Sequence, residues 1–173
     1  EMVRDGSVDQ IVGIRFTGLN IPAGAVITDA YFTFKAKGNN SSTTNLIIKA
    51  QAADNPGTFT TADYNISSRA TTAASVNWSN VPVWTDNQTY TSPSFASVVQ
   101  EIVNRAGWTS GNSMVFIITG SGTRNADSYE GSSSNAPKLT VTFTACSPSI
   151  ATPVFSLGTS SIRCQGSGNE TYS

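Results

Sequence analysis

Alternation of apolar and polar residues along short segments is the feature that most limits how this chain can fold. In residues 26–37 apolar side chains fall on one face of an extended chain and mostly polar side chains on the other, and the same period of two recurs in three further segments. This period is typical of half-buried antiparallel strands. The inward-facing residues that it predicts are Val26, Ala30, Phe32, Phe34 and Ala36, then Val12, Ile14 and Phe16, then Leu46, Ile48 and Ala50, and finally Leu139, Val141 and Phe143.

Two further patterns complete the predicted architecture. The continuous apolar run from Met114 to Ile118 indicates a central strand that is buried on both faces. Between the strands lie turn sequences such as Ile21-Pro22-Ala23-Gly24 and Asp54-Asn55-Pro56-Gly57. Short strands with this punctuation predict an all-β fold, an antiparallel β-sandwich or jelly roll.

One segment departs from the period of two and predicts a short helix at about residues 93–106. Ser92 is expected to be its N-cap and Gly107 to follow its C-terminus. Glu101 and Arg105 are spaced as an ion pair on one helix face. The residues expected to pack against the sandwich are Phe95, Val98, Val99 and Ile102.

The composition excludes several classes of function. The 173 residues carry 10 basic and 11 acidic side chains and no histidine, whereas 24 are serine and 22 are threonine. A net charge of −1 without a basic run gives no electrostatic surface for nucleic acid, and no apolar stretch approaches the ~20 residues of a membrane span. Without histidine, no Ser-His-Asp triad, Cys-His pair or common zinc-hydrolase site can form.

The two ends of the chain bear on its organisation and its compartment. The absence of a start methionine and of a signal sequence indicates either a removed signal or an excerpt of a longer protein. Residues 1–145 are predicted to form the β-sandwich, and residues 146–173 a linker with the start of a second β module. A disulfide between Cys146 and Cys164 would imply an oxidising, extracellular setting, and a reduced pair is the alternative.

Several runs of sequence within residues 11–143 carry a resemblance to a known kind of module. They are VGIRFTGLNIPAGA (12–25), ITDAY (27–31), NISSR (65–69), VQEIVNRAGW (99–108) and SYEGSS (128–133). Together they resemble carbohydrate-binding-module-like β-sandwiches of large secreted bacterial proteins of the Bacteroidetes type. Such modules are found beside immunoglobulin- or PKD-like repeats in surface adhesins and extracellular hydrolases, many exported by the type 9 secretion system. The resemblance implies an architecture and an extracellular setting, and residues 152–166 resemble the opening of one such repeat.

Carboxylates are the remaining candidates for chemistry. An enzyme without histidine would need a pair of acidic residues, and Asp127 with Glu130 is the nearest approach to one, in a Gly/Ser-rich loop. Such groups are better suited to binding calcium, and the candidate calcium ligands are Asp54, Asp127 and Glu130. The simpler interpretation is that these Asp and Asn residues form Asx turns. We therefore predict that the chain is not an enzyme and has no cofactor. Calcium binding stays open as an alternative.

Aromatic residues and arginines are candidates for sugar binding. Trp78, Trp84 and Tyr90 lie close together in sequence, and with Tyr129 and Arg124 they form the candidate glycan-binding set. A platform requires Trp84 and Tyr90 to be exposed together, and because Trp is buried on average, core packing is expected for at least two of the three tryptophans. Arg124 could also act with Arg15 and Arg69 on acidic polysaccharide. The alternative for these arginines is ordinary pairing with Asp29, Asp63 and Glu130.

These observations predict a non-catalytic structural or adhesive module of a secreted, multidomain bacterial surface protein. The expected partners are neighbouring domains of the same polypeptide, surface polysaccharide, and the machinery of secretion or surface attachment, with no nucleic acid and no membrane insertion. A carbohydrate-binding module that tethers an enzyme or a cell to polysaccharide is the first alternative. The second is assembly, in which a strand from one copy completes another.

Overall fold

A computed structural model describes residues 1–145 of the chain. The predicted second unit at 146–173 and the predicted disulfide between Cys146 and Cys164 lie outside the described residues. The elements in chain order are β1 (Arg4–Asp5), β2 (Val8–Asp9), β3 (Val12–Phe16), β4 (Val26–Lys35), β5 (Asn45–Ala50), β6 (Val76–Trp78), β7 (Thr89–Thr91), α1 (Ala96–Val103), β8 (Met114–Ser121) and β9 (Lys138–Thr144).

Two antiparallel sheets pack face to face, which confirms the predicted all-β sandwich. One sheet has the strand order β3-β8-β5-β6 and the other the order β7-β4-β9, while β1 and β2 form a separate small hairpin. The connections β3–β4, β4–β5, β6–β7 and β8–β9 each pass from one sheet to the other. Phe32 of β4 meets Phe116 of β8 between the sheets, with ring centroids 5.0 Å apart and an edge-to-face geometry.

The alternation predicted from sequence places most inward residues correctly. Phe32 and Phe34 of β4 and Leu46 and Ile48 of β5 are all buried in the core. All five residues from Met114 to Ile118 are buried, because β8 lies between β3 and β5 in its sheet and both of its faces are covered. Strands β3 and β9, at one side of the sandwich, differ from these core strands because their inward residues are only half-buried.

The inward orientation predicted for Val26 is wrong. Val26 is 55% exposed, whereas Ile27 is only 7% exposed. The pairing of β4 with β9 shifts register between Ile27 and Asp29, which marks a β-bulge. Because one extra residue reverses the side-chain alternation, the strand before the bulge is in the opposite phase to the strand after it.

The helix is real but shorter than predicted, and its start differs. It spans Ala96–Val103 with Phe95 at the N-cap position. Ser92 is not the cap because its hydroxyl accepts a hydrogen bond from the main-chain N–H of Phe32 at 3.0 Å, on the neighbouring strand. The residues predicted to face inward, Phe95, Val98, Val99 and Ile102, are all buried. Among residues 1–145 no helix is long and apolar enough to cross a membrane.

Candidate functional site

A groove of about 840 Å³ lies at one side of the sandwich and is called here the edge groove. It lies between β3, an edge strand of one sheet, and β9, an edge strand of the other. Residues 12–17 form one wall, Leu139 of β9 lies on the opposite wall, and Phe34 of β4 lines the interior.

The groove exists because two sheet edges have no strand beside them within residues 1–145. All five residues of β3 pair with β8 on one side, and seven pairs join β9 to β4. No described strand pairs with the second edge of either. The inward apolar residues there, such as Ile14 and Leu139, are therefore only half-buried, although their sequence pattern matches that of the core strands.

The outer face of β3 is covered by a loop that an arginine holds in place. The ring of Phe59 lies over Gly13, where any side chain would collide with it. The guanidinium of Arg69 lies 4.8 Å from the centre of the Phe59 ring and donates a hydrogen bond to the carbonyl of Thr58 at 3.0 Å. Arg69 thus holds this loop through main-chain oxygens, and within residues 1–145 it forms no ion pair with Asp63.

Three of the predicted site residues meet at the groove. Asp127, Tyr129 and Glu130, from the connection between β8 and β9, all line it. Tyr129 is 69% exposed, and Asp127 accepts a hydrogen bond from the side-chain amide of Asn135 at 3.0 Å. The structure therefore brings together an aromatic residue predicted for sugar binding and two carboxylates predicted for calcium.

The charge presented to a ligand in the groove is negative. The guanidinium of Arg15 already donates to a main-chain carbonyl and to a hydroxyl, each at 3.0 Å. The pKa of the Glu1 carboxyl is raised, chiefly because it shares a hydrogen bond with the side chain of Asp5. The groove lining thus holds three carboxyl groups, those of Glu1, Asp127 and Glu130, against the single basic side chain of Arg15.

All three tryptophans are buried, which confirms the core packing expected for at least two of them, and the candidate platform of Trp84 with Tyr90 does not form. Trp84 is 0% exposed and stacks on Tyr90, with ring centroids 5.0 Å apart and planes 9° from parallel. Trp78 is buried as well, and the hydroxyl of Tyr90 accepts a hydrogen bond from the N–H of Thr85 at 2.8 Å. These rings pack in the core and do not present a joint face to a ligand.

Arg124 is also buried and acts inside the protein. Its guanidinium donates to the carbonyls of Pro82, Ser42 and Val81 at 2.9, 2.9 and 2.6 Å, and to the hydroxyl of Thr44 at 2.8 Å. These acceptors belong to the β4–β5 and β6–β7 connections, whereas Arg124 lies in the β8–β9 connection. Burial lowers the pKa of the guanidinium, because the charge is removed from water.

The third predicted calcium ligand, Asp54, lies elsewhere and has another partner. Its carboxylate is 2.5 Å from the guanidinium of Arg105. Among residues 1–145 no three acidic, histidine or cysteine side chains are placed so that they could hold a metal ion. The structure therefore does not assemble the predicted ligand set of Asp54, Asp127 and Glu130.

The ion pair predicted between Glu101 and Arg105 is wrong, since Arg105 binds Asp54. Glu101 instead accepts hydrogen bonds from the main-chain N–H groups of Ala73 and Ala74, at 2.9 and 2.7 Å. Spacing along the helix permitted the pair, but the loop that precedes β6 offers two unpaired donors to the same carboxylate. Sequence reasoning missed this role because the partners are 28 and 27 residues away.

Comparison of the chain with protein-family models, with curated proteins and with solved structures finds no match. The resemblance to secreted bacterial β-sandwich modules therefore rests on the sequence runs quoted above, and its implications for function belong to the proposal below.

Proposed function

We propose that this chain is a non-catalytic structural and adhesive module of a large, secreted, multidomain bacterial surface protein. Its work is to be a rigid unit of an extended polypeptide and to present a polar surface at the exterior of the cell. The proposed setting is extracellular, and the proposed partners are the neighbouring domains and the surface-attachment machinery.

The observation that carries the proposal is the way the buried arginine holds the loops. The side chain of Arg124 joins three connections of the sandwich through main-chain carbonyls and one hydroxyl. Arg69 and Glu101 hold two further loops in the same manner. Charged groups that are committed to loop backbone resist unfolding of those loops and are not available for bond-making chemistry, which supports a structural role.

The surface supports the same proposal. The outward residues of β9, Lys138, Thr140, Thr142 and Thr144, are exposed, and three of the four are threonine. Threonine favours strand geometry while adding neither charge nor an apolar patch. A surface of this kind lets a module stay extended beside many copies of itself or its neighbours without unwanted association.

Deletion in the cell tests the proposal. The segment encoding residues 1–145 is removed in frame from its gene, and surface biotinylation measures the amount of the parent protein outside the cell. We expect export to persist while attachment of cells to a surface falls. A parent protein that stays inside the cell, or attachment equal to that of wild type, would contradict the proposal.

Carbohydrate binding is the second candidate, and one observation favours it. Tyr129 presents an exposed ring beside Asp127 and Glu130, and such a ring with nearby oxygen acceptors is suited to the apolar face and the hydroxyls of a sugar. Binding to a glycan array that is lost in Tyr129→Ala would support it. Tyr64→Ala is the matched control, because Tyr64 is 80% exposed but does not line the edge groove.

A further inference from the structure

The shape of the edge groove shows that it follows the backbone edge of β3. Consecutive residues of a strand point to opposite faces of the sheet, so a cavity on one face meets only every second residue. The edge groove is lined by all of residues 12–17. Contact with every residue in a row indicates that the groove runs along the side of the strand, where the next strand of a sheet would lie.

The chemistry of that edge is suited to another strand. Among residues 1–145, the main chain of β3 forms its hydrogen bonds with β8 on the opposite side, and no other main-chain partner of residues 12–16 occurs. Exposed N–H and C=O groups in a row are a template for strand addition. On the inner side Val12, Ile14 and Phe16 face the groove, so alternate apolar side chains of an added strand would meet apolar partners.

Charge further defines the occupant. Asp127 and Glu130 line the groove, while the one basic residue of its lining, Arg15, is already engaged by a carbonyl and a hydroxyl. A lysine or arginine of the occupant would find complementary charge at these carboxylates. An acidic occupant would meet repulsion there.

We propose that the edge groove binds an extended polypeptide strand of another protein, which pairs with the second edge of β3. Its alternate side chains are apolar, and it carries a basic residue that meets Asp127 and Glu130. The inference names the kind of partner that the proposed structural module would join, and in that sense it rests on the proposed function.

A matched pair of synthetic peptides tests strand addition on the whole chain. The probe is a heptapeptide of one lysine followed by three valine-threonine repeats, acetylated and amidated. Its control has the same side chains, but the main-chain nitrogens that would face β3 are methylated, which removes the donors of the β-ladder. We expect the unmodified peptide to bind at least tenfold more tightly by calorimetry, and the amides of residues 12–16 to gain protection from hydrogen exchange.

Charge variants test the rest of the proposal. Asp127→Asn combined with Glu130→Gln should weaken binding of the lysine peptide several-fold. The same double variant should bind a peptide with norleucine in place of lysine as tightly as the wild type does. Asp63→Asn is the control, because Asp63 is exposed and outside the groove lining. Circular dichroism of each variant establishes that it is folded.

Several results would overturn the inference. Equal binding of the methylated peptide, protection at another strand, or no binding at millimolar peptide to folded protein would each do so. A mass that grows with protein concentration would identify a second copy as the occupant, and displacement of the peptide by a neutral oligosaccharide would identify a sugar site. The peptide assay uses the isolated chain and the deletion assay uses cells, so failure of one is distinguishable from failure of the other.

Discussion

Replacement of Arg124 is the sharpest test of how this sandwich is held together. The side chain is 1% exposed and has no carboxylate partner within residues 1–145, so its charge is balanced by main-chain carbonyls and hydroxyls. Arg124→Ala removes all the donors at once, and it leaves the carbonyls of Val81 and Pro82 without a donor within residues 1–145. Arg124→Met keeps the aliphatic length but removes the same donors.

The expected loss can be worked out from the acceptors. The carbonyls of Val81 and Pro82 each receive a hydrogen bond from the buried Arg124 and from no other group within residues 1–145. A buried acceptor left unsatisfied costs about 1–3 kcal/mol, so these two together cost about 2–6 kcal/mol. Part of this cost is offset because the alanine variant no longer buries a charge. In the wild type, burial lowers the pKa of the Arg124 guanidinium and so disfavours its charged state.

We therefore expect Arg124→Ala to reduce the free energy of unfolding by about 4 kcal/mol. For a domain of this size each kcal/mol lowers Tm by about 2–4 °C, which gives a fall of about 8–16 °C. Arg124→Met should lose somewhat less, because its side chain still fills space, and Arg124→Lys should recover part of the loss through its three donors.

Thermal and urea unfolding followed by circular dichroism measures these losses. Arg4→Ala is the control, because Arg4 is 4.0 Å from Asp9 in an exposed pair that is worth less than ~1 kcal/mol. A loss below ~1 kcal/mol in Arg124→Ala, or an Arg124→Met variant as stable as the wild type, would show that the acceptors find other partners and that the reasoning is wrong.

Substitutions at three further positions test other contacts by the same unfolding measurements. Trp84→Ala should cost about 3–5 kcal/mol, whereas Trp84→Phe should cost clearly less, because it keeps the stack on Tyr90 and removes an indole N–H that has no acceptor within residues 1–145; equal losses would contradict this. Glu101→Gln should cost about 1–2 kcal/mol, since the two N–H groups bind different oxygens of the carboxylate and glutamine replaces one of these oxygens with an NH2 group that cannot accept, with no loss in the exposed control Glu130→Gln. Gly120→Ala should fail to fold, because its Cβ would meet the carbonyl oxygen of Asn45 at a φ of +145°, while Gly111→Ala, also at positive φ but in open space, should fold.

The edge strands explain why the groove was not predictable from sequence. The alternation of Leu139, Val141 and Phe143 has the same form as that of Leu46, Ile48 and Ala50. The first set is half-buried and the second is buried. A period of two gives the face of a residue, but the position of a strand within its sheet depends on pairings across the whole chain.

Long-range partners likewise decided the roles of the charged residues. The acceptors of Arg124 in the β4–β5 and β6–β7 connections are 42 to 82 residues away, and Asp54 is 51 residues from Arg105. No local spacing could indicate these pairs. Sequence spacing alone favoured the pair of Glu101 with Arg105, which the structure does not form.

The all-β class, the central strand from Met114 to Ile118 and the apolar face of the helix follow from the amino-acid sequence alone, because they depend on local periodicity and on the burial of apolar side chains. The tertiary structure decided the reversed phase of Val26 before the bulge, the burial of Trp84 and Arg124, and the open edge of β3. Each of these depends on which distant segments come to lie side by side, since a buried polar group or a sheet edge is defined by its neighbours in space.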